Sequence, residues 1–470
     1  SLAESVSRIR AACANSGAGL PARRITVNLS PAAVPKQGSG FDLAIAIAIA
    51  AAQGLVPKAR LADVVWLGEL GLDGSVRPTS GTLATTLAAK TLGFKRVVVS
   101  AASYAEAAMV DGIEVVGVAH LRELLQQEWP TANHLNESAE SMNSTNSTAP
   151  NGAEAPDLSD IIGQPDAIRA LEVAAAGGHH LLLVGPPGAG KTLLAQRLPG
   201  ILPPLSSEQA IETLALRSLT YNSSALRMSY TAPFESPHHG VSQAALIGGG
   251  TGIPRPGLAS LAHNGVLFLD EAPEFSSNVL DSLRQPLESG ELVISRALGT
   301  ARFPASFQLV MAANPCACGQ SEASGKNCQC SHLQRQRYMN RLSGPLLDRI
   351  DIRFRVSRVK ALQDSEGSRT SAEVRERVLG ARALAATRLS STPWTLNARV
   401  PGVYLRKHLR PSKEATRNLD HALSAGRISM RGYDRCLRLA WTLADLSGRA
   451  SPTSDDVATA SILRSSDAGI

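Results

Sequence analysis

Apolar positions change their spacing several times along the chain, and each change predicts a different kind of element. Strand-like alternation in "RITVNLS" (24–30), "VVWLGEL" (64–70) and "RVVVSA" (96–101) predicts β-strands, with helical patterns such as 81–92 between them. The run "FDLAIAIAIAAAQGLV" (41–56) is the one candidate membrane span, but Asp42, Gln53 and its alanine content predict a buried core helix. Residues 129–157 lose the apolar rhythm and are dense in Ser, Asn, Thr, Ala and Glu, which predicts a flexible linker. From 158 to 355 the pattern is α/β, with apolar runs in "HHLLLVG", "NGVLFLD" and "FQLVMAANP". "GELVISRALGTARFPASF" (290–307) predicts a hairpin, and "IGGGTGIPRPG" (247–257) a Gly/Pro loop projecting from a helix. An Arg-rich helical region follows from 356 to 470. The pattern therefore divides the chain into an α+β front domain (1–128), a linker (129–157), an α/β core (158–355) and helices (356–470).

Composition adds a compartment and a charge asymmetry. Six cysteines in 470 residues are too few for a secreted disulfide scaffold. Ser1 opens directly into a charged helical pattern, so no leader is expected and the chain reads as beginning partway into a domain. A cytoplasmic protein without a membrane segment is the expectation. Residues 331–470 carry 25 Lys and Arg against 13 Asp and Glu, a net of +12, while the first 330 residues sum to −5. That asymmetry fits either a solvated basic helical surface or a partner rich in phosphate.

The chemistry begins at "HHLLLVGPPGAGKTLLAQRL" (179–198), a strand, a Gly/Pro loop and a helix. Gly185, Pro186, Pro187, Gly188, Ala189, Gly190, Lys191 and Thr192 complete the pattern G-x-x-x-x-G-K-[ST]. In that pattern backbone N–H groups turn toward phosphates, the lysine reaches the β/γ oxygens and the hydroxyl serves magnesium. ATP and magnesium are the expected ligands. A second apolar strand ends in Asp270, expected to hold magnesium, and Glu271, expected to polarise the attacking water. A third ends in Asn314, placed to orient that water. Directly after it, Cys316, Cys318, Cys328 and Cys330 form C-x-C-x9-C-x-C across 316–330. Two short thiol pairs joined by a Gly/Ser/Asn loop suit a closed tetrahedral zinc site; an iron–sulfur cluster and an unliganded loop are the alternatives.

"DIIGQPDAIRAL" before the loop, Asn314 and "GPLLDRIDI" (344–352) together resemble an AAA+ ATPase. More narrowly, "HHGVSQAALIGGGTGIPRPGLASLAHNGVLFLDEAPEF" (238–275), "SRALGTARFPASFQLVMAANPCACG" and "RLSGPLLDRID" resemble the magnesium-chelatase-like ComM/YifB family. The resemblance implies an AAA+ P-loop module with a C-terminal helical lid. It also implies a ring, expected to be a hexamer, acting on single-stranded or branched DNA as a branch-migration helicase in natural transformation or recombination. It assigns Arg349 as an arginine finger toward the neighbouring subunit and Arg431 as the sensor-2 arginine. Arg296 and Arg302, on the predicted hairpin, become candidate DNA contacts; solvated surface arginines are the plain alternative.

The front domain, through "VNLSPAAVPKQGSGFDLAIAIAIA" and "LGELGLDGSVRPTSGTLATTLAAKTLGFKRVVVSA", resembles the Lon-protease proteolytic fold. Gly40 and Leu83 stand where that family has its serine and lysine, and Ser39 is one residue off, so peptidase chemistry is expected to be lost. Lys36, Arg77 and Arg96 are left for a binding surface. Two other readings stay open: a chelatase-type motor subunit remodelling a protein partner, and an ATP-dependent protease.

Overall fold

The computed structural model describes residues 2–30, 38–126, 156–220, 227–250, 254–296, 299–320, 328–359 and 369–465. Lys36 and the predicted linker, apart from Pro156 and Asp157, lie outside these residues.

In the front domain, strands β1 (Val64–Trp66), β2 (Arg96–Ser100) and β3 (Glu114–Val118) form a parallel sheet in that order. Alternate side chains feed two cores. Val98, Val116 and Val118 meet Ile9 and Cys13 of helix Leu2–Asn15 and Leu43 and Ile47 of helix Asp42–Ala52. Val97, Val99 and Val115 meet Ala89, Tyr104 and Ala107 on the other face. The 41–56 run is thus a core helix, and no helix among the described residues is long and apolar enough to cross a membrane. "RITVNLS" forms no strand: Ile25 and Val27 are 38% and 47% exposed, and nothing among the described residues pairs with the segment. Alternation alone does not make a strand when the backbone has no ladder partner. Conversely "EVVGV" is a strand whose short length and Gly117 hid it from the pattern.

The second sheet contains β4 (Leu181–Val184), β5 (Phe234–Glu235), β6 (Val266–Leu269), β9 (Gln308–Ala313) and β10 (Ile352–Arg355). Between β6 and β9, strands β7 (Glu291–Arg296) and β8 (Gly299–Pro304) make the expected antiparallel hairpin. The sheet order is β10-β4-β9-β6-β5, parallel throughout. Both faces are covered, so its strands read as continuous apolar runs rather than alternating ones. Leu181, Leu183, Val266, Phe268, Val310 and Ala312 face one core. Leu182, Val184, Leu267, Leu269, Leu309 and Met311 face the other.

The first core is closed by helices Pro165–Gly177 and Lys191–Ile201 and, from the C-terminal region, Ser371–Arg388 and Met430–Leu446. Val374, Val378, Leu437 and Leu439 are fully buried there, so these helices share the core of the sheet. A smaller apolar cluster joins the front domain to the second sheet: Leu83 and Val110 pack on Leu214 and Ala215 of helix Ser207–Ser218.

Candidate functional site

Residues 185–190 loop from the end of β4 into helix Lys191–Ile201, whose first residue is the lysine itself. Gly185 tolerates no side chain, because a Cβ there would come within 2.3 Å of the Val356 carbonyl. Its N–H donates to Ala313 O at 3.1 Å, and Gln164 Nε2 donates to Ala189 O at 2.7 Å, so the loop is held from both flanks. The buried Lys191 ammonium folds back, donating to Gly185 O (2.7 Å), Pro186 O (3.0 Å) and Asn314 Oδ1 (3.1 Å). Burial lowers its pKa, opposed by the nearby charges of Asp270 and Glu271. Three backbone and amide acceptors satisfy a cation here that an anion in the loop would satisfy better.

The sheet order explains how three strands deliver one constellation. Because β9 runs between β4 and β6, Asn314 emerges between the loop and the acidic pair. Thr192 Oγ1 donates to Asp270 Oδ2 at 2.6 Å, and the Glu271 N–H donates to Asp270 Oδ1 at 2.9 Å. A hydroxyl beside a carboxylate is a donor pair of hard oxygens, suited to magnesium. Glu271 adopts φ +50, a left-handed conformation that costs a non-glycine residue about 1 kcal/mol or more and occurs often at functional sites. Its Oε2 lies 3.5 Å from His239 Nδ1, and the His238 ring stands 4.0 Å from that of His239. His239 had no role in the sequence reading. It follows β5, a strand parallel to β6 that therefore ends beside Asp270, a placement set by topology.

Arg349 and Arg431 sit at the opposite end of the sheet. β10 pairs Ile352 with Leu181, so Arg349 precedes the start of the strands whose far ends carry the loop. The length of β4 separates the two, about 13 Å at 3.3 Å per residue. Arg349 donates to Pro345 O at 2.6 Å and pairs with Glu288. Arg431 is exposed, 4.0 Å from Asp348, on the same cleft as Arg349, Arg435 and Arg438. The structure brings these arginines to each other and not to Lys191 of their own chain.

Arg296 and Arg302 are both exposed on the hairpin, but β7–β8 register sets them on opposite faces. Arg302 shares a face with Glu291 and pairs with it at 3.3 Å. Arg296 shares the other face with the buried Leu292 and Ile294 and reaches over Gly249, where a Cβ would lie 3.1 Å from its Nη2.

The four clustered cysteines converge, with all sulfur atoms within 4.8 Å of one another. The Cys316–Cys328 and Cys318–Cys328 separations are 3.7 and 3.6 Å, and Cys316–Cys318 is 3.2 Å. A tetrahedron with metal–sulfur bonds of about 2.3 Å has edges of about 3.8 Å, so the set fits one zinc ion. The Cys318 thiol is drawn down to about 6, first by the Gln320 N–H and then by its cysteine neighbours. Cys13 and Cys436 stay apart, buried and free.

Much of the positive charge of the C-terminal region turns inward. Arg382 donates twice to Ala175 O, Arg438 to Val400 O and Arg464 to Ile350 O. Burial pushes the Arg382 guanidinium down to about 10. Neither expected reading of that charge, surface or phosphate partner, had included arginines that stitch helices through carbonyls.

In the front domain the Leu83 side chain is fully buried in the contact with helix Ser207–Ser218, and its N–H donates to Glu106. Ser39 donates its hydroxyl to Glu69, and Gly40 packs near Leu67 and Thr79. Arg96 is paired with Glu114 at 2.6 Å, and Arg77 is exposed.

Comparison with known families matches residues 157–363 to magnesium chelatase, subunit ChlI, residues 1–103 to subunit ChlI of Mg-chelatase, and residues 368–464 to its C-terminal family. An uncharacterized protein of Mycobacterium tuberculosis is 48% identical over 98% of this chain and 90% of its own length. The competence protein ComM of Haemophilus influenzae is 41% identical over 95% of this chain and 86% of its own. The uncharacterized protein YifB of Escherichia coli is 38% identical over 94% and 85%. With that coverage, and a parallel sheet carrying a complete phosphate loop, the chain belongs to the magnesium-chelatase-related AAA+ ATPase family that includes ComM and YifB.

Proposed function

We propose that the protein is an ATP-hydrolysing ring motor, expected to be hexameric, that moves single-stranded or branched DNA in natural transformation or recombination. The observation that carries the reading is the split of its ATP chemistry between the two ends of one sheet. Lys191, Thr192, Asp270, Glu271 and Asn314 supply everything a bound triphosphate needs except a positive charge on its outer side. Arg349 and Arg431 supply that charge on the face away from their own loop, toward a neighbouring copy.

With ATP in the loop, Lys191 exchanges its carbonyl partners for the β- and γ-phosphate oxygens. Thr192 and Asp270 hold magnesium, which neutralises phosphate charge. Glu271 takes the proton of the attacking water, with His239 steadying its carboxylate, and Asn314 orients that water. Four thiolates hold one zinc ion. The front domain keeps a peptidase-like fold without the peptidase chemistry, since its Leu83 serves as a packing residue. Arg296 is the stronger DNA-contact candidate of the hairpin pair, because no carboxylate among the described residues pairs with it.

The test is ATP turnover by the purified chain with and without single-stranded, duplex and forked DNA at low salt. Stimulation by DNA, with strand displacement that falls steeply as salt rises, is the expected result. A chain that turns over ATP but binds no DNA acts on a protein, as a chelatase-type motor subunit would.

A further inference from the structure

The cysteine cluster stands closer to the nucleotide loop than a purely structural clip requires. Cys316 is fully buried and follows Asn314 by two residues. The Gly319 N–H donates to Cys316 O at 3.0 Å, closing a tight turn that carries Cys318. At its apex Gly319 has φ +73, and a Cβ there would lie 2.6 Å from Pro187 Cγ and 4.0 Å from Asn314 Cγ. Only a glycine fits that seat. The backbone of the cysteine turn therefore packs closely on the ring of Pro187 in the phosphate loop and passes near the amide that receives Lys191.

The position of this turn is set by sulfur. Its two cysteines are joined to Cys328 and Cys330 across a long sequence gap, and the four sulfur atoms are already within the span of one tetrahedral ion. Bound metal would fix both ends of that closure to one point; without it, nothing but weak thiol contacts holds them together.

We infer that the metal held by Cys316, Cys318, Cys328 and Cys330 sets the shape of the phosphate loop through Gly319 and Pro187, so that metal and nucleotide each tighten the binding of the other. The coupling rests on the ATP and zinc readings above and adds a direction neither contains. It is reciprocal: whatever factor the metal contributes to nucleotide affinity, the nucleotide contributes to metal affinity.

The test uses the full chain carrying Glu271→Gln, in which ATP persists. Zinc affinity is measured by competition with a chromogenic chelator, with and without magnesium-ATP. Affinity for a fluorescent ATP analogue is measured on zinc-loaded and zinc-stripped protein. Both affinities are expected to shift by the same factor, about fivefold or more. Stripping can unfold the loop, so Gly319→Ala is the second arm. It keeps all four thiolates, and is expected to hold one zinc per chain while losing nucleotide affinity by a similar factor. Independent zinc and ATP affinities overturn the coupling, as does a Gly319→Ala chain that binds ATP normally. A chain that binds ATP but takes up no zinc overturns the metal site and the coupling together. Failure of the zinc-loaded chain to bind ATP overturns the nucleotide reading itself.

Discussion

The two ends of the second sheet are built from the same strands and solve opposite problems. At the C-terminal end Lys191 is buried, held by three oxygens beside two carboxylates. At the N-terminal end the charges are already satisfied within the fold. Asp351 is buried against Arg435 and His179, and Arg435 holds its carboxyl far below the usual range despite burial that pushes the other way. Burial around one end leaves a site; around the other it makes a brace. Arg431, exposed and 4.0 Å from Asp348, lies at the braced end beside Arg349, which is largely buried and paired with Glu288. On the proposed reading, one copy holds the parts of the site in an arrangement that a neighbouring copy completes.

The largest effect should come from the open end. Lys191→Ala is expected to abolish ATP binding, whereas Glu271→Gln should bind ATP and retain it unhydrolysed; filter-bound radiolabelled nucleotide separates the two. Normal turnover by the Glu271→Gln chain would break the contrast at its root.

Next in size is the reach between copies. Arg349→Ala should lower turnover by about a thousandfold while ATP affinity changes little. Mixing it with Lys191→Ala chains should restore part of the activity, because one interface in the mixture pairs an intact loop with an intact arginine. No recovery at any ratio, in assemblies shown to mix, would confine Arg349 to its own subunit.

The braced end should reveal itself by acid. The part-buried His180 accepts the Leu309 N–H at Nδ1, and desolvation depresses its pKa from 6.5 to about 3. The folded chain thus binds fewer protons than the unfolded one between these values. The associated stability is whole well above pH 6.5 and declines as the pH falls toward 3, by roughly 2 kcal/mol between pH 6.5 and 4.5. Asp351, also depressed, adds a loss in the same direction below the ordinary carboxylate range. Thermal melts from pH 8 to 4 should show the decline, and His180→Asn, which keeps an acceptor for Leu309, should flatten it.

The smallest difference separates the hairpin faces. Arg296→Ala should weaken binding to single-stranded DNA and lower its salt slope by about one, while Arg302→Ala, already neutralised by Glu291, should change either by less. Equal effects would mean that the faces are used alike.

The site was legible where a residue type and its spacing imply a chemistry. The phosphate loop, Asp270 with Thr192, Asn314 and the convergence of four cysteines all stand in the structure where their local pattern placed them in the chain. Contacts made by topology were not legible. His239 reaches Glu271 because β5 and β6 run parallel, and nothing within the His-His-Gly sequence carries that fact. Gly319 looks like any loop glycine until Pro187 is found against it. The charge of residues 331–470 misled in the same way, since a count cannot tell an arginine in water from Arg382 on a helix carbonyl. In the fold, the long apolar strands of the second sheet were easily read, whereas the short EVVGV strand and the half-exposed 24–30 segment, with the right rhythm and no partner, were not.

The order of strands in the second sheet also bears on how the chain is made. β4 lies between β9 and β10, so Leu181 waits for Val310 on one side and Ile352 on the other. During synthesis the strand that leads into the phosphate loop emerges more than a hundred residues before either neighbour. Until β9 leaves the ribosome it is an apolar ribbon with open backbone on both edges, and one edge stays open until β10 follows. Such distant pairing is slow and leaves nascent chains prone to association. The front domain, whose sheet closes within 118 residues, can fold while that wait lasts. Its buried Leu83 face would then be ready to receive helix Ser207–Ser218 as that helix emerges.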